Sequence, residues 1–122
     1  MTTKVRAIRG ATKLAVDTPE EVDSATIEMV SAMLEKNRVK HEDLVSIFFN
    51  CTPDIHSRFP AASARELGLG DVPLICAQEL AISDALPLTI RAMITFHTDL
   101  GLSDISHVYL RGAEVLRRDI AQ

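Results

Sequence analysis

Several polar side chains stand where apolar segments of this sequence end or break. Arg9 follows Val5-Arg-Ala-Ile8, Glu79 closes Val72-Pro-Leu-Ile-Cys-Ala-Gln-Glu79, and Tyr109 lies within Ile105-Ser-His-Val-Tyr-Leu110. Arg91 stands in the most apolar stretch, Leu86-Pro-Leu-Thr-Ile-Arg-Ala-Met-Ile-Thr-Phe96, and Arg65 joins from Phe59–Leu67. A cation in apolar surroundings needs a paired carboxylate or an anionic ligand. A guanidinium offers five donors in a fixed fork, which suits a carboxylate or a developing oxyanion. Two or three arginines, one carboxylate, one phenol and no nucleophile describe a pocket for a small dianion. Such a pocket works by positioning and electrostatics instead of covalent chemistry. Each side chain also has a structural use open to it. Arg9 can pair with a surface acid, Glu79 can cap a helix, Tyr109 can fill a core, and Arg91 can pair with Glu79 or Asp84.

Other site chemistries find little support. There is no G-x-S-x-G elbow and no Gly-rich phosphate loop. His41, His56, His97 and His107 fall in four separate segments without the short spacing of metal pairs. Cys51 and Cys76 each end an expected strand and have no evident histidine partner for thiolate chemistry.

The elements that must carry these residues are legible in outline. Val5–Ile8 reads as a first strand ending at Arg9-Gly10. Thr18-Pro-Glu-Glu21 starts a helix: Thr18 caps it, Pro19 takes its first position, and Glu21 closes a capping box. Val22, Ala25, Met29, Ala32 and Met33 recur at helical spacing, and Asn37 suits a left-handed stop. Leu44–Asn50 is the best strand, broken by Thr52-Pro-Asp54. A short helix over Phe59–Leu67, with Pro60 in its first turn, ends at Gly68–Asp71, and Val72–Cys76 is a third strand. Ser83-Asp84 caps a second long helix to about Asp99, with Leu86, Ile90, Met93, Ile94 and His97 on its buried face and Arg91 at the edge. Ile105–Leu110 is a fourth strand and Ala113–Leu116 a fifth. The expected fold is α/β (α+β), a mixed sheet of about five strands covered by two main helices.

Composition sets the outer bounds. The 122 residues make one domain by length, with a 47% hydrophobic share typical of globular chains. Aromatics are only 4%, so the core rests on aliphatic residues and methionine. A chain this small gains from association. Its net charge of −4 argues against a nucleic-acid partner, and the doublet Arg117-Arg118 and the loose Lys36, Arg38, Lys40 group read as solvated surface. No segment has the length and apolarity of a membrane span or of a secretory signal, so a cytoplasmic protein with reduced thiols is expected.

Six segments in order resemble one known family. Val5–Thr12, Cys51–His56, Phe59–Ala61, Val72–Glu79, Ile90-Arg91 and His107–Leu110 are together similar to the monofunctional AroH-type chorismate mutases, over about residues 4–118. The resemblance implies a homotrimer with a pseudo-α/β-barrel core and active sites in clefts between subunits. It implies chorismate as substrate and prephenate as product, towards phenylalanine and tyrosine, with no cofactor and no metal. By position, Arg9 would bind a substrate carboxylate, Arg91 would reach the ether oxygen and a carboxylate, Glu79 would accept from the ring hydroxyl, and Tyr109 would donate to a carboxylate. Ile75, Cys76, Ala77 and Gln78 would border the ring. Phe59, Ala61 and Arg65 would come from the adjacent subunit, and Leu116-Arg117 would cover the mouth. Ala62 stands where some members carry lysine, which weakens the basic rim. The alternatives are a RidA-like trimeric imine deaminase, or a small-carboxylate binder without turnover.

Overall fold

The computed structural model describes residues 3–117; Arg118 lies outside them. Helix α1 runs Pro19–Lys36, with Pro19 in its first turn and Thr18 Oγ1 accepting from the Glu21 N–H at 3.1 Å. Only that half of the capping box forms. The Glu21 carboxylate turns instead to the Ala15 N–H at 3.0 Å, tying the preceding loop to the helix. At the other end Asn37 is not left-handed (φ −108°); Arg38 takes that conformation at φ 53°. Asn37 is held because its buried amide is fully used. It donates to Met33 O and Ser106 O at 2.8 Å each and accepts from the Ser106 N–H at 2.7 Å. The helix end is thereby clipped to the segment that leads into His107 and Tyr109.

Five strands form one mixed sheet: β1 Lys4–Lys13, β2 Leu44–Cys51, β3 Leu74–Gln78, β4 Thr89–Thr98 and β5 Val108–Tyr109. Their order is β3-β2-β4-β1-β5, antiparallel at β2·β4 and β4·β1 and parallel at β2·β3 and β1·β5. The mixed five-strand sheet with helical cover is the expected class, but the second long helix is absent. Residues Thr89–Thr98 are the central strand instead. Leu86, Ile90, Met93 and Ile94 do fit a helical period, yet Ile90, Ala92, Ile94 and Phe96 fit a period of two, and only these four are buried among Ile90–His97. Thr89, Ile90, Ile94 and Thr95 are β-branched and favour a strand. His97 and Met93, expected inside, face away from the core.

The second helix is the short α2, Pro60–Ala64, continued by one wider turn at Arg65–Leu69 in which Gly68 has φ 93°. Strand β1 also runs further than expected. Gly10 does not stop it; it passes beneath α1, where a Cβ would overlap Met33 Sδ. Glycine serves here for close approach. Strand β3 begins after Pro73, two residues later than expected; β5 is only two residues long; Ala113–Leu116 is a 3-10 turn, not a strand.

One sheet face and both helices enclose the core. Ile8, Ile47, Phe49, Ile90, Ile94 and Phe96 pack with Val22, Met29, Val30 and Met33 from α1 and Ala61 and Ala64 from α2. Each such large side chain contributes roughly 1.5–3 kcal/mol by leaving water. The other face is largely open: Val5, Phe48, Ile75 and Met93 are 54%, 44%, 58% and 45% exposed.

Candidate active site

Strand alternation places the polar candidates on the open face. Along β4, Ala92 and Ile94 point to the core, so Arg91 and Met93 point away. Along β2, Phe49 is fully buried, so Phe48 and Asn50 point away. The register then lines up one row across the sheet: Tyr109 beside Ala11, Ala11 beside Arg91, Arg91 beside Asn50, and Asn50 beside Ala77. Neighbouring strands are about 4.8 Å apart. Ala77 is exposed, whereas Ala11 is buried in a small apolar cluster with Ala113 and Tyr109, the last only 5% exposed. Arg9 lies two residues along β1 from Ala11, and Glu79 two residues beyond Ala77.

Arg9, Glu79, Arg91 and Tyr109 therefore share one cleft of about 250 Å³, completed by Phe48, Asn50, Ala92 and Met93. Glu79 is fixed by its own chain. Its N–H donates to Cys51 O, and its Oε1 accepts from the Leu80 N–H, both at 2.8 Å. Its Oε2 stands 3.7 Å from Arg91 Nε, with the side chains 26% and 47% exposed. The structural pairing open to Arg91 thus exists, but loosely. An exposed pair of this kind contributes at most about 1 kcal/mol, so most of the fork remains for a ligand. A second cleft adjoins the first through Glu79 and Arg91 and is walled by Leu80, Ile82, Leu86 and Leu116.

The remaining candidates lie elsewhere in the chain. Phe59, Cys76, Ala77 and Gln78 border a separate cleft with Cys51 and Arg58. Phe59 is 71% exposed, Arg65 is exposed, and Ala61 is buried in α2. Cys76 points to the helix-covered face beside Phe49, while Ile75 and Ala77 point to the open face. Burial pushes the Cys51 thiol up to about 12 and raises Cys76 as well, so neither is poised as a thiolate. Among the described residues, no group of three or more His, Cys, Asp or Glu side chains is arranged to hold a metal ion.

Sequence reasoning missed Asn50 and His107. Arg9 donates its main-chain N–H to His107 Nδ1 at 2.9 Å, an imidazole standing in for a carbonyl where the β1·β5 ladder ends. Asn37 fixes the residue before it. Burial holds His107 below its ordinary value, and the positive charges of Arg9 and Arg117 push the same way. The neutral form is the native one, because a protonated Nδ1 cannot accept. Above about pH 6.5 the unfolded chain is neutral here too. As the pH falls below that, the unfolded chain takes up a proton that the folded chain resists, and stability declines until the folded pKa is passed. The wild-type melting temperature should therefore fall more between about pH 7 and 5 than that of His107→Asn, which keeps an acceptor that does not titrate. Parallel curves for the two proteins would remove His107 from this role.

Known proteins resemble this chain over nearly its whole length. The family model described as chorismate mutase type I matches residues 5–120. Chorismate mutase AroH of Bacillus subtilis (strain 168) is 42% identical over 118 residues, covering 96% of this chain and 93% of the relative. Chorismate mutase AroH of Thermus thermophilus is 42% identical over 117 residues, covering 95% and 96%. The solved structure of a chorismate mutase from Clostridium thermocellum superposes with a TM-score of 0.88 at 39% identity, covering 90% of this chain and 98% of that one.

Proposed function

The chain belongs to the type I chorismate mutases, and from that premise we propose how its own residues carry the reaction. It is a chorismate mutase, an isomerase that rearranges chorismate to prephenate in aromatic amino acid biosynthesis. The imine-deaminase and binder alternatives are set aside. The observation that carries the site assignment is the single cleft holding Arg9, Glu79, Arg91 and Tyr109.

The rearrangement is intramolecular: the ether C–O bond breaks as a new C–C bond forms, with no proton transferred. That explains a site without a nucleophile. Arg9 and Tyr109 hold the substrate carboxylates and keep the enolpyruvyl arm over the ring, which removes orientational freedom from the barrier. Glu79 accepts from the ring hydroxyl. Negative charge grows on the ether oxygen as the bond stretches, and Arg91 donates to it. That contact strengthens in the transition state, so it lowers the barrier instead of tightening binding uniformly.

The active assembly in this reading is a homotrimer with a pseudo-barrel core. Two observations support it. The open sheet face exposes Val5, Phe48, Ile75 and Met93, which a second copy would cover. Phe59 and Arg65 are exposed outside the Arg9/Arg91 cleft within one chain, as they must be if each subunit lends them to a neighbour, whereas Ala61 is buried in its own core and cannot be lent. Leu116 and Arg117 then stand at the mouth; Cys76, Ala77 and Gln78 border the separate cleft with Phe59, and Ile75 lies on the open sheet face outside both. The 122 residues act as one domain, and the two free cysteines suit the cytoplasm. The test is the loss of chorismate absorbance on adding purified protein. Turnover at several per second is expected, on the order of ordinary enzymes; loss at only the uncatalysed rate would reject the reading.

A further inference from the structure

We propose that Asn50 is a positioning residue for Arg91, an inference that rests on the chorismate mutase reading of the same cleft. Asn50 is directly opposite Arg91 in the β2·β4 register, and both side chains point to the open face. Paired residues on one face have Cβ atoms about 4.5–5.5 Å apart, within reach of a hydrogen bond between an amide and a guanidinium. Asn50 lines the cleft with Arg91. Its Oδ1 is buried and accepts nothing from the described residues. A buried acceptor left without a donor costs free energy, and native proteins retain few of them. The adjacent group is a five-donor fork whose one ion pair among the described residues, Nε to Glu79, is long at 3.7 Å.

One small shift of the fork joins the two. When a dianion enters and draws the guanidinium inward, Asn50 Oδ1 accepts one of its N–H groups. Glu79 then restrains one edge of the fork and Asn50 another, leaving the remaining donors aimed at the ligand. An uncharged acceptor suits this place. A carboxylate there would repel the dianion and cancel part of the charge that Arg91 must present.

Asn50→Ala, Asn50→Ser and Asn50→Ala combined with Arg91→Lys test the proposal, with kcat, KM and melting temperature measured for each beside the wild type. Asn50→Ala should lower kcat roughly tenfold, the scale of one charge-assisted hydrogen bond, with KM nearly unchanged. Its melting temperature should stay the same or rise, because an unsatisfied buried amide is removed. Asn50→Ser, which keeps a short acceptor, should recover part of the loss. In the Arg91→Lys background the alanine change should cost little more, since lysine has no fork to hold. Wild-type kcat in Asn50→Ala would overturn the proposal, and so would an equal loss in both backgrounds. A drop in melting temperature that tracks the lost activity would make Asn50 structural and also overturn it. Absence of turnover in the wild type would instead remove the underlying functional reading, and this proposal with it.

Discussion

Arg91→Ala is expected to lower kcat by roughly 10²–10³-fold, the cost seen when one donor to a developing oxyanion is removed. The loss should fall on kcat more than on KM, because the contact to the ether oxygen forms fully only in the transition state. Stability should change by less than about 0.5 kcal/mol. The side chain is 47% exposed and among the described residues its one ion pair is the 3.7 Å contact to Glu79, so little of the fold depends on it. Arg91→Lys should recover only part of the rate: it keeps a charge but loses the planar fork. Turnover near that of the wild type in Arg91→Ala would take the chemistry away from this residue.

A charge on the open sheet face should be nearly as damaging, through assembly instead of chemistry. Val5 and Ile75 are 54% and 58% exposed on strands β1 and β3, outside the cleft formed by Arg9 and Arg91. In the proposed trimer an aspartate at either position would be desolvated among apolar side chains without a partner, a cost of several kcal/mol per ion. Val5→Asp combined with Ile75→Asp should therefore sediment as a folded monomer, since neither side chain belongs to the helix-covered core. If the proposed shared site holds, its activity should fall to near the uncatalysed rate, because Phe59 and Arg65 of a neighbour would no longer reach the cleft. A monomer with wild-type turnover would refute the shared site. A variant that still sediments like the wild type would refute this face as the contact.

How much of this was legible in the sequence varies from residue to residue. Thr18-Pro19 and the helical spacing after them marked α1, and Leu44–Asn50 marked β2, because caps and β-branched runs are local signals. Thr89–Thr98 misled because Leu86, Ile90, Met93 and Ile94 satisfy a helical period while Ile90, Ala92, Ile94 and Phe96 satisfy a strand period. What decides between them is that β1 and β2 flank this segment on both sides, a non-local fact. Gly10 looked like a strand end because its reason for being glycine, Met33 above it, lies on another element.

Arg9, Glu79, Arg91 and Tyr109 stood out as polar residues in apolar contexts, and the fold brings them to one cleft. The misread segment still delivered Arg91, since a cation among apolar residues is conspicuous in either periodicity. Asn50 and His107 did not stand out. An asparagine at a strand end and a histidine before a strand are common, and only the fold, which sets Asn50 opposite Arg91 and His107 Nδ1 against the Arg9 N–H, singles them out.

On the proposed mechanism a fixed positive charge at position 91 lowers the barrier. The most direct test is kcat with citrulline in place of Arg91, a replacement that keeps the shape and most hydrogen-bond donors but is neutral. If charge is what matters, kcat should fall by roughly 10²-fold or more with the assembly intact and KM changed far less. A citrulline enzyme that retains the wild-type kcat would show that the charge at position 91 is not what lowers the barrier.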